Sequence, residues 1–352
     1  MSIRVSTTNS FATLAEVMKE ADGERMRRYA EYLAFYDGEQ WEGRRRAGET
    51  QLVVNYARTF IRKGTSYLFT ASPAFQVLGP DGKQAAGAEA VEGVLSEFYA
   101  SSDLHALDYE AAIDAAVLGD GIFKTTWSAR LGRPVVGAID PRTVLAWPWP
   151  DDRQSVYRVE QRLDMLLDEA RVIYELGDDV TLGGASAQAT PGRVVVCETW
   201  TDATYDVVIA GQAVRTGSNP YGWIPYDIFP NVPRPFEFWG ESDMVDLLQL
   251  CRELNERMTT LARIMQVSGY PITVLENVEK ASGIRAEPGA IWELPEDSRA
   301  YLLDMLAGQG VRLHIEFLDQ LRMSLHDIAA VSYTHLRAHE TKANLVCRLL
   351  LE

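Results

Sequence analysis

Cysteine is scarce in this 352-residue chain: Cys197, Cys251 and Cys347 are too few and too scattered for a disulfide framework or a zinc site. Long apolar runs are missing too. No stretch reaches the roughly eighteen residues needed to span a bilayer, so no membrane partner is expected. The first residues lack the apolar core of a signal peptide, which points to the cytosol where the chain is made. Nucleotide motifs are absent as well. Arg62-Lys63-Gly64-Thr65 lacks the leading glycine of a phosphate loop and falls within a predicted helix, so ATP is not implied. Gly119-Asp120-Gly121 carries only two of the three dinucleotide-motif glycines and precedes a strand, which reads as a turn. No Gly-x-Ser-x-Gly elbow occurs. Basic charge is also in deficit: 34 Lys and Arg stand against 50 Asp and Glu, a formal net charge of -16. That excludes a binder working through a basic, phosphate-neutralising surface, yet permits a protein past which DNA slides.

What is present is helical regularity. Met244, Leu247, Cys251, Leu254, Met258, Leu261 and Met265 recur at spacings of three and four, the seam of a helix that packs on another helix. A helix over 242–267 would be roughly 39 Å long, more than one domain core requires. A second long helix is predicted over 310–329, with Val311, His314, Leu318, Leu321, Leu325 and Ile328 at the same spacings. His314 reads as a packed histidine. Between the two helices, Tyr270-Pro271 ends the first, and short strands are predicted at 272–275 and 290–294 around a Glu287-Pro288-Gly289 turn.

The first 230 or so residues read as a mixed α and β domain. Thr13 with Glu16 resembles a capping box opening two helices that run to Tyr36. Further helices are predicted over 54–69, 88–99, 104–118 and 163–176. Strands are predicted over 75–78, 122–128, 135–139, 157–162, 194–201, 205–209 and 212–216. Trp147-Pro148-Trp149-Pro150 reads as an irregular connection, Arg44-Arg45-Arg46 as a solvated loop, and 183–191 as a Gly/Ala/Ser-rich loop. The fold class is therefore α+β.

Chemistry is thinly represented, and no catalytic, cofactor or metal residue is assigned. Glu198 and Asp202, beside Trp200 and Tyr205, could serve as a carboxylate pair in glycoside cleavage. Among so many acidic residues, such pairs also arise by chance. Trp41, Trp127, Trp147, Trp149, Trp223 and Trp239 lack interleaved Lys and Arg, so packing accounts for them better than stacking on single strands.

From Ser332 onward the chain reads as a translated sequencing-library adapter. Ser332-Tyr333-Thr334-His335-Leu336-Arg337-Ala338-His339-Glu340-Thr341 matches a transposase-end block, and Leu345-Val346-Cys347-Arg348 a second block, with an index-length gap between them. Asn344 obeys the codon restriction that the gap imposes. Residues 332–352 are thus expected to be a non-native tail, with the native sequence running to about Ala330. His335 and His339, spaced like a metal-binding pair beside Glu340, carry no metal expectation for that reason.

Several segments in order resemble the portal, or head-to-tail connector, proteins of tailed double-stranded DNA phages, especially the long-tailed branch. They are Phe35-Tyr36-Asp37-Gly38-Glu39-Gln40-Trp41; Asn55 followed by Tyr67-Leu68-Phe69-Thr70-Ala71-Ser72-Pro73; Gly119-Asp120-Gly121; and Ile139-Asp140-Pro141. Asn219-Pro220-Tyr221-Gly222-Trp223-Ile224-Pro225, Trp239-Gly240-Glu241-Ser242-Asp243 and the long helix follow. The resemblance implies a non-enzymatic ring, typically a dodecamer, at a capsid vertex. Double-stranded DNA would pass through it, and the terminase large subunit, a head–tail adaptor, scaffold and major capsid proteins would be its partners. It implies location in the virion, with assembly in the host cytoplasm. Residues 1–240 would be a wing domain, 241–267 a first stem helix, 268–309 a clip whose 276–299 stretch docks partners, and 310–331 a second stem helix. Arg312, Glu316, Asp319 and Arg322 are candidates to face the DNA channel. The channel loop, wing helix and crown expected after the second stem helix have no counterpart in the sequence. Another capsid-associated interaction protein and the hydrolase using Glu198 and Asp202 are the alternatives.

Overall fold

The computed structural model describes residues 22–43, 50–69, 72–79, 83–84, 87–176, 192–268, 272–277, 297–303 and 311–329. The predicted 13–16 capping box, the 44–46 basic run, the 183–191 loop, the 290–294 strand, most of the proposed clip and the tail lie outside those residues. The chain divides into two compact units, Met1–Asp37 with Arg58–Val245, and Gly38–Ala57 with Asp246–Glu352.

In the first unit, helices α1 (Gly23–Asp37), α2 (Tyr56–Leu68), α3 (Ala88–Ser101) and α4 (Leu104–Leu118) precede the strands. Helix α4 is rich in small residues and buries Ala111, Ala115, Ala116, Val117 and Leu118 towards its end. Gly119 then stops it, adopting φ +108 and donating its N–H to the Ala115 carbonyl. Strands β1 (Asp120–Ser128) and β2 (Arg133–Ala138) form a hairpin, and β8 (Tyr226–Pro230) joins the other edge of β1, so the sheet order is β2-β1-β8. Strands β3 (Val144–Pro148), β4 (Val156–Leu166), β5 (Arg193–Trp200), β6 (Thr204–Ile209) and β7 (Gln212–Ser218) make a five-stranded antiparallel sheet in chain order.

Alternation explains how the two sheets meet. Ile122 of β1 and Tyr226 of β8 pack with Val144, Ala146, Val159 and Trp200 of the larger sheet in one buried cluster. Along β5 and β6, the apolar residues Val196, Val207 and Ile209 face helix α5 (Leu167–Ile173), where Ala170 and Tyr174 close a second cluster. The fold is α+β, as the residue pattern implies.

Four local expectations need correction. Residues 144–148 form a strand instead of an irregular connection. Pro148 is tolerated because β3 lies at the sheet edge, where a missing N–H costs no ladder bond. Strand β8 is likewise a short edge strand, bounded by Pro225 and Pro230, and its prolines hid it. The predicted helix over 163–176 starts later, because Leu163 and Met165 continue β4 and pack on the second cluster. Residues 75–78 make only an isolated bridge, Leu78 with Gln84, and no strand.

The second unit contains helix α6 (Met244–Ser268) beyond its first two residues, the antiparallel pair β9 (Ile272–Glu276) and β10 (Arg299–Leu303), and helix α7 over 311–329. At 25 residues, α6 is about 38 Å long.

Candidate functional site

The predicted α6 seam is buried over its first half and open over its second. Met244, Leu247, Cys251 and Leu254 are buried, Met258 and Leu261 partly so, and Met265 is 63% exposed. Burial pushes the Cys251 thiol up to about 11, so it stays protonated and unreactive at neutral pH.

Beside the seam runs a polar stripe that heptad spacing alone does not flag. Asn255, 1% exposed, accepts a hydrogen bond from the Val54 N–H (2.8 Å) and donates to Gln40 Oε1 (2.6 Å). Gln40 in turn donates to Asn55 Oδ1 (3.0 Å). One helical turn further, Thr259 Oγ1 accepts the Leu52 N–H at 2.9 Å. Leu52 and Val54 are two apart and Asn255 and Thr259 four apart. An extended backbone is therefore tied, donor by donor, to one helix face. Trp41 adds a bond from its indole N–H to the Leu52 carbonyl. In the sequence, Asn255 and Thr259 continue the spacing of Cys251 by four, but nothing there marks them as buried.

On α7, Leu318, Leu321, Leu325 and Ala329 are buried, and His314 is partly so. The four channel candidates are exposed and form two ion pairs within the helix. Arg312 Nε lies 2.8 Å from Glu316, and Arg322 3.5 Å from Asp319. Phe317, on another flank, lies under the Arg257 guanidinium of α6 at 5.8 Å.

In the first unit, two separate sequence motifs meet backbone to backbone. Gly240 packs so closely on the end of α4 that an added Cβ would stand 2.4 Å from the Gly119 carbonyl oxygen. Ser242 Oγ donates to the Ala116 carbonyl at 3.0 Å and receives the Met244 N–H at 3.0 Å, which caps the start of α6. Asp120, 1% exposed, accepts the Gly240 N–H at 2.8 Å and the Tyr29 hydroxyl. Arg25 completes the node. Its guanidinium lies 3.6 Å over the Trp239 ring, pairs with Asp22, and donates to the Val144 carbonyl at 2.8 Å and the Pro141 carbonyl at 3.4 Å. The sequence does not mark Arg25 of α1 as buried, because Pro141, Val144 and Trp239, which enclose it with Asp22, lie more than a hundred residues away.

The remaining motifs are structural corners. Asn219 accepts the Tyr221 N–H and donates to the Thr201 and Trp223 carbonyls, which fixes the turn before β8. Asp140 caps the short turn after Ile139 by accepting the Arg142 N–H at 2.9 Å.

Glu198 and Asp202 sit in different environments. Asp202 is exposed in the β5–β6 turn. Glu198 is buried, with Lys124 Nζ at 2.5 Å, the Tyr174 hydroxyl at 2.7 Å and the Trp200 indole N–H at 3.3 Å all donating to it. Burial pushes its carboxyl up, but Lys124 and those donors outweigh burial and hold it below the usual range. Among the described residues, no cluster of His, Cys, Asp and Glu is placed to hold a metal ion, and no helix is long and apolar enough to cross a membrane.

Residues 15–135 match the family model of the phage P22-like portal protein, which supports a phage portal protein. The matched stretch holds α1 to α4, β1 and the start of β2, including Arg25, Asp120 and the Gly119 corner. The long-tailed branch rests on the motifs alone. No curated protein matches the chain.

Proposed function

We propose that the chain is the protomer of a ring at a capsid vertex, through which double-stranded DNA is packaged and later ejected. The observation that carries this reading is the portal-family match over residues 15–135. Two further features support it. Helix α6 is longer than a compact core needs, and α7 follows it after a short antiparallel pair, the order of a stem, clip and stem.

The polar stripe of α7 suits passage better than grip. Arg312 and Arg322 are each neutralised by a carboxylate on their own helix, and the chain as a whole is strongly acidic. Phosphates passing such a stripe release few counterions, so the duplex is not held. In this reading Arg312, Glu316, Asp319 and Arg322 face the channel, and residues 268–309 dock the terminase large subunit and a head–tail adaptor. Scaffold and major capsid proteins surround the ring. ATP hydrolysis belongs to the motor, and the protomer itself is structural. It assembles in the host cytoplasm and ends in the virion.

The test is electron microscopy of the protein expressed from its genomic reading frame together with its own scaffold and capsid proteins. Rings with an axial opening are expected. A monodisperse monomer under those conditions would overturn the proposal. Three donors inside the fold hold the Glu198 carboxylate and Asp202 is exposed, which favours the structural reading over the hydrolase alternative.

A further inference from the structure

We propose that Asp120 is a proton-operated latch that sets how firmly residues 239–243, the lead-in to α6, are seated on the C-terminal end of α4. The geometry is that of a single side chain joining two segments. One carboxylate oxygen accepts the Gly240 N–H at 2.8 Å and the other accepts the Tyr29 hydroxyl, while the Asp120 backbone belongs to β1. Around it, the lead-in is held by the Ser242 hydroxyl on the Ala116 carbonyl and by the Asp243 N–H on the same carbonyl at 3.0 Å. The close approach of Gly240 to Gly119 leaves no space for a sideways shift. Release therefore has to be a lifting of the segment as a whole.

A cavity lies beside the latch. Its volume is about 170 Å³, and it is lined by both partners of the carboxylate, Tyr29 and Gly240, and also by Arg28, Tyr32, Arg234 and Glu241. The charged groups acting on Asp120 are Arg25 and Arg28 from α1. Arg25 is itself paired with Asp22. Across β8 the residue opposite Asp120 is Pro230, which does not titrate.

The direction follows from burial. Seated, the Asp120 carboxyl is pushed up to about 6, because burial outweighs the Gly240 N–H, the Tyr29 hydroxyl and the two arginines. Released into water, it would return to the ordinary value near 4. The seated state thus binds its proton more tightly. Seating is firmest in acid and weakens as the pH rises through about 6, with a ceiling of roughly a hundredfold in the ratio of seated to released forms.

Hydrogen exchange of the Gly240 and Asp243 amides, corrected for intrinsic rates, tests the latch in the whole protein between pH 7.5 and 5. Protection should rise about tenfold on acidification. In Asp120→Asn the rise should vanish, and amides of β5 serve as the unaffected control. A flat profile in the unaltered protein, or an equal rise in Asp120→Asn, overturns the proposal. Should that variant fail to fold, a carboxyl-carbon NMR titration of the unaltered protein decides. A midpoint near 6 that moves upward in Tyr29→Phe, where one donor to the carboxylate is gone, supports the latch. A midpoint near 4 refutes it.

Discussion

Replacing Lys124 with Met strips the cation from a carboxylate that cannot reach water. The two side chains are 16% and 8% exposed and lie 2.5 Å apart, between the two sheets of the first unit. Met fills most of the volume of the lysine stem, so the packing around Trp200 and Tyr226 is largely kept and the loss is electrostatic. Breaking one side of a buried pair costs about 3–5 kcal/mol at neutral pH. For a unit of this size, that corresponds to a melting temperature roughly 10 °C lower. The pH dependence separates this cause from a packing defect. In the unaltered protein the Glu198 carboxyl is held below its ordinary value, so its contribution is present at neutral pH and is lost only as the pH falls through that depressed value. In Lys124→Met only the Tyr174 and Trp200 donors still oppose burial, which raises the carboxyl, so the variant is most stable in acid and weakens as the pH climbs. The gap between the two proteins should therefore widen from pH 4 to pH 7 in thermal melts followed by circular dichroism. Adding Glu198→Gln should recover about half of the loss. A deficit under about 1 kcal/mol, or one equal at both pH values, would refute the reasoning.

Two other substitutions probe the remaining nodes. Asn255→Ala removes the buried acceptor of the Val54 N–H and the donor to Gln40 Oε1, and should destabilise the second unit by about 2–4 kcal/mol, with faster exchange at the Val54 amide; unchanged exchange there would count against the tie. Gly240→Ala places a methyl 2.4 Å from the Gly119 carbonyl oxygen and 2.7 Å from Pro230 Cβ, where backbone cannot yield, and should cost about 3 kcal/mol or more. A variant melting within a degree or two of the unaltered protein would show that the corner is looser than its geometry.

Periodicity served the sequence reading well wherever a single element decides its own form. Helices α4 and α6 lie within two residues of their predicted bounds, because apolar spacing and terminal glycine or proline signals are local. It failed at β3 and β8, where prolines suggested loops and only the position at a sheet edge makes them compatible with strands. The motifs were visible as unusual residue strings, but their pairing was not. Nothing local links Gly119 to Gly240, Gln40 to Asn255, or Arg25 to the Val144 carbonyl. For Glu198 and Asp202 too, proximity in sequence says nothing about the lysine that arrives from another sheet to pair with Glu198.

The tie between residues 52–54 and α6 also sets a timetable. Its donors precede their acceptors by 201 and 207 residues. At about 5–20 residues per second, a ribosome needs roughly 10–40 s to supply Asn255 and Thr259 after Val54 has been made. During that interval the whole stretch Arg58–Val245 can emerge and collapse, while the early segment waits with its amide donors facing water. The second unit is therefore the last to form although its first residues are among the earliest made. A truncation just after Val245 would release a chain that holds all of the first unit's residues and whose 38–57 segment has no helix on which to settle.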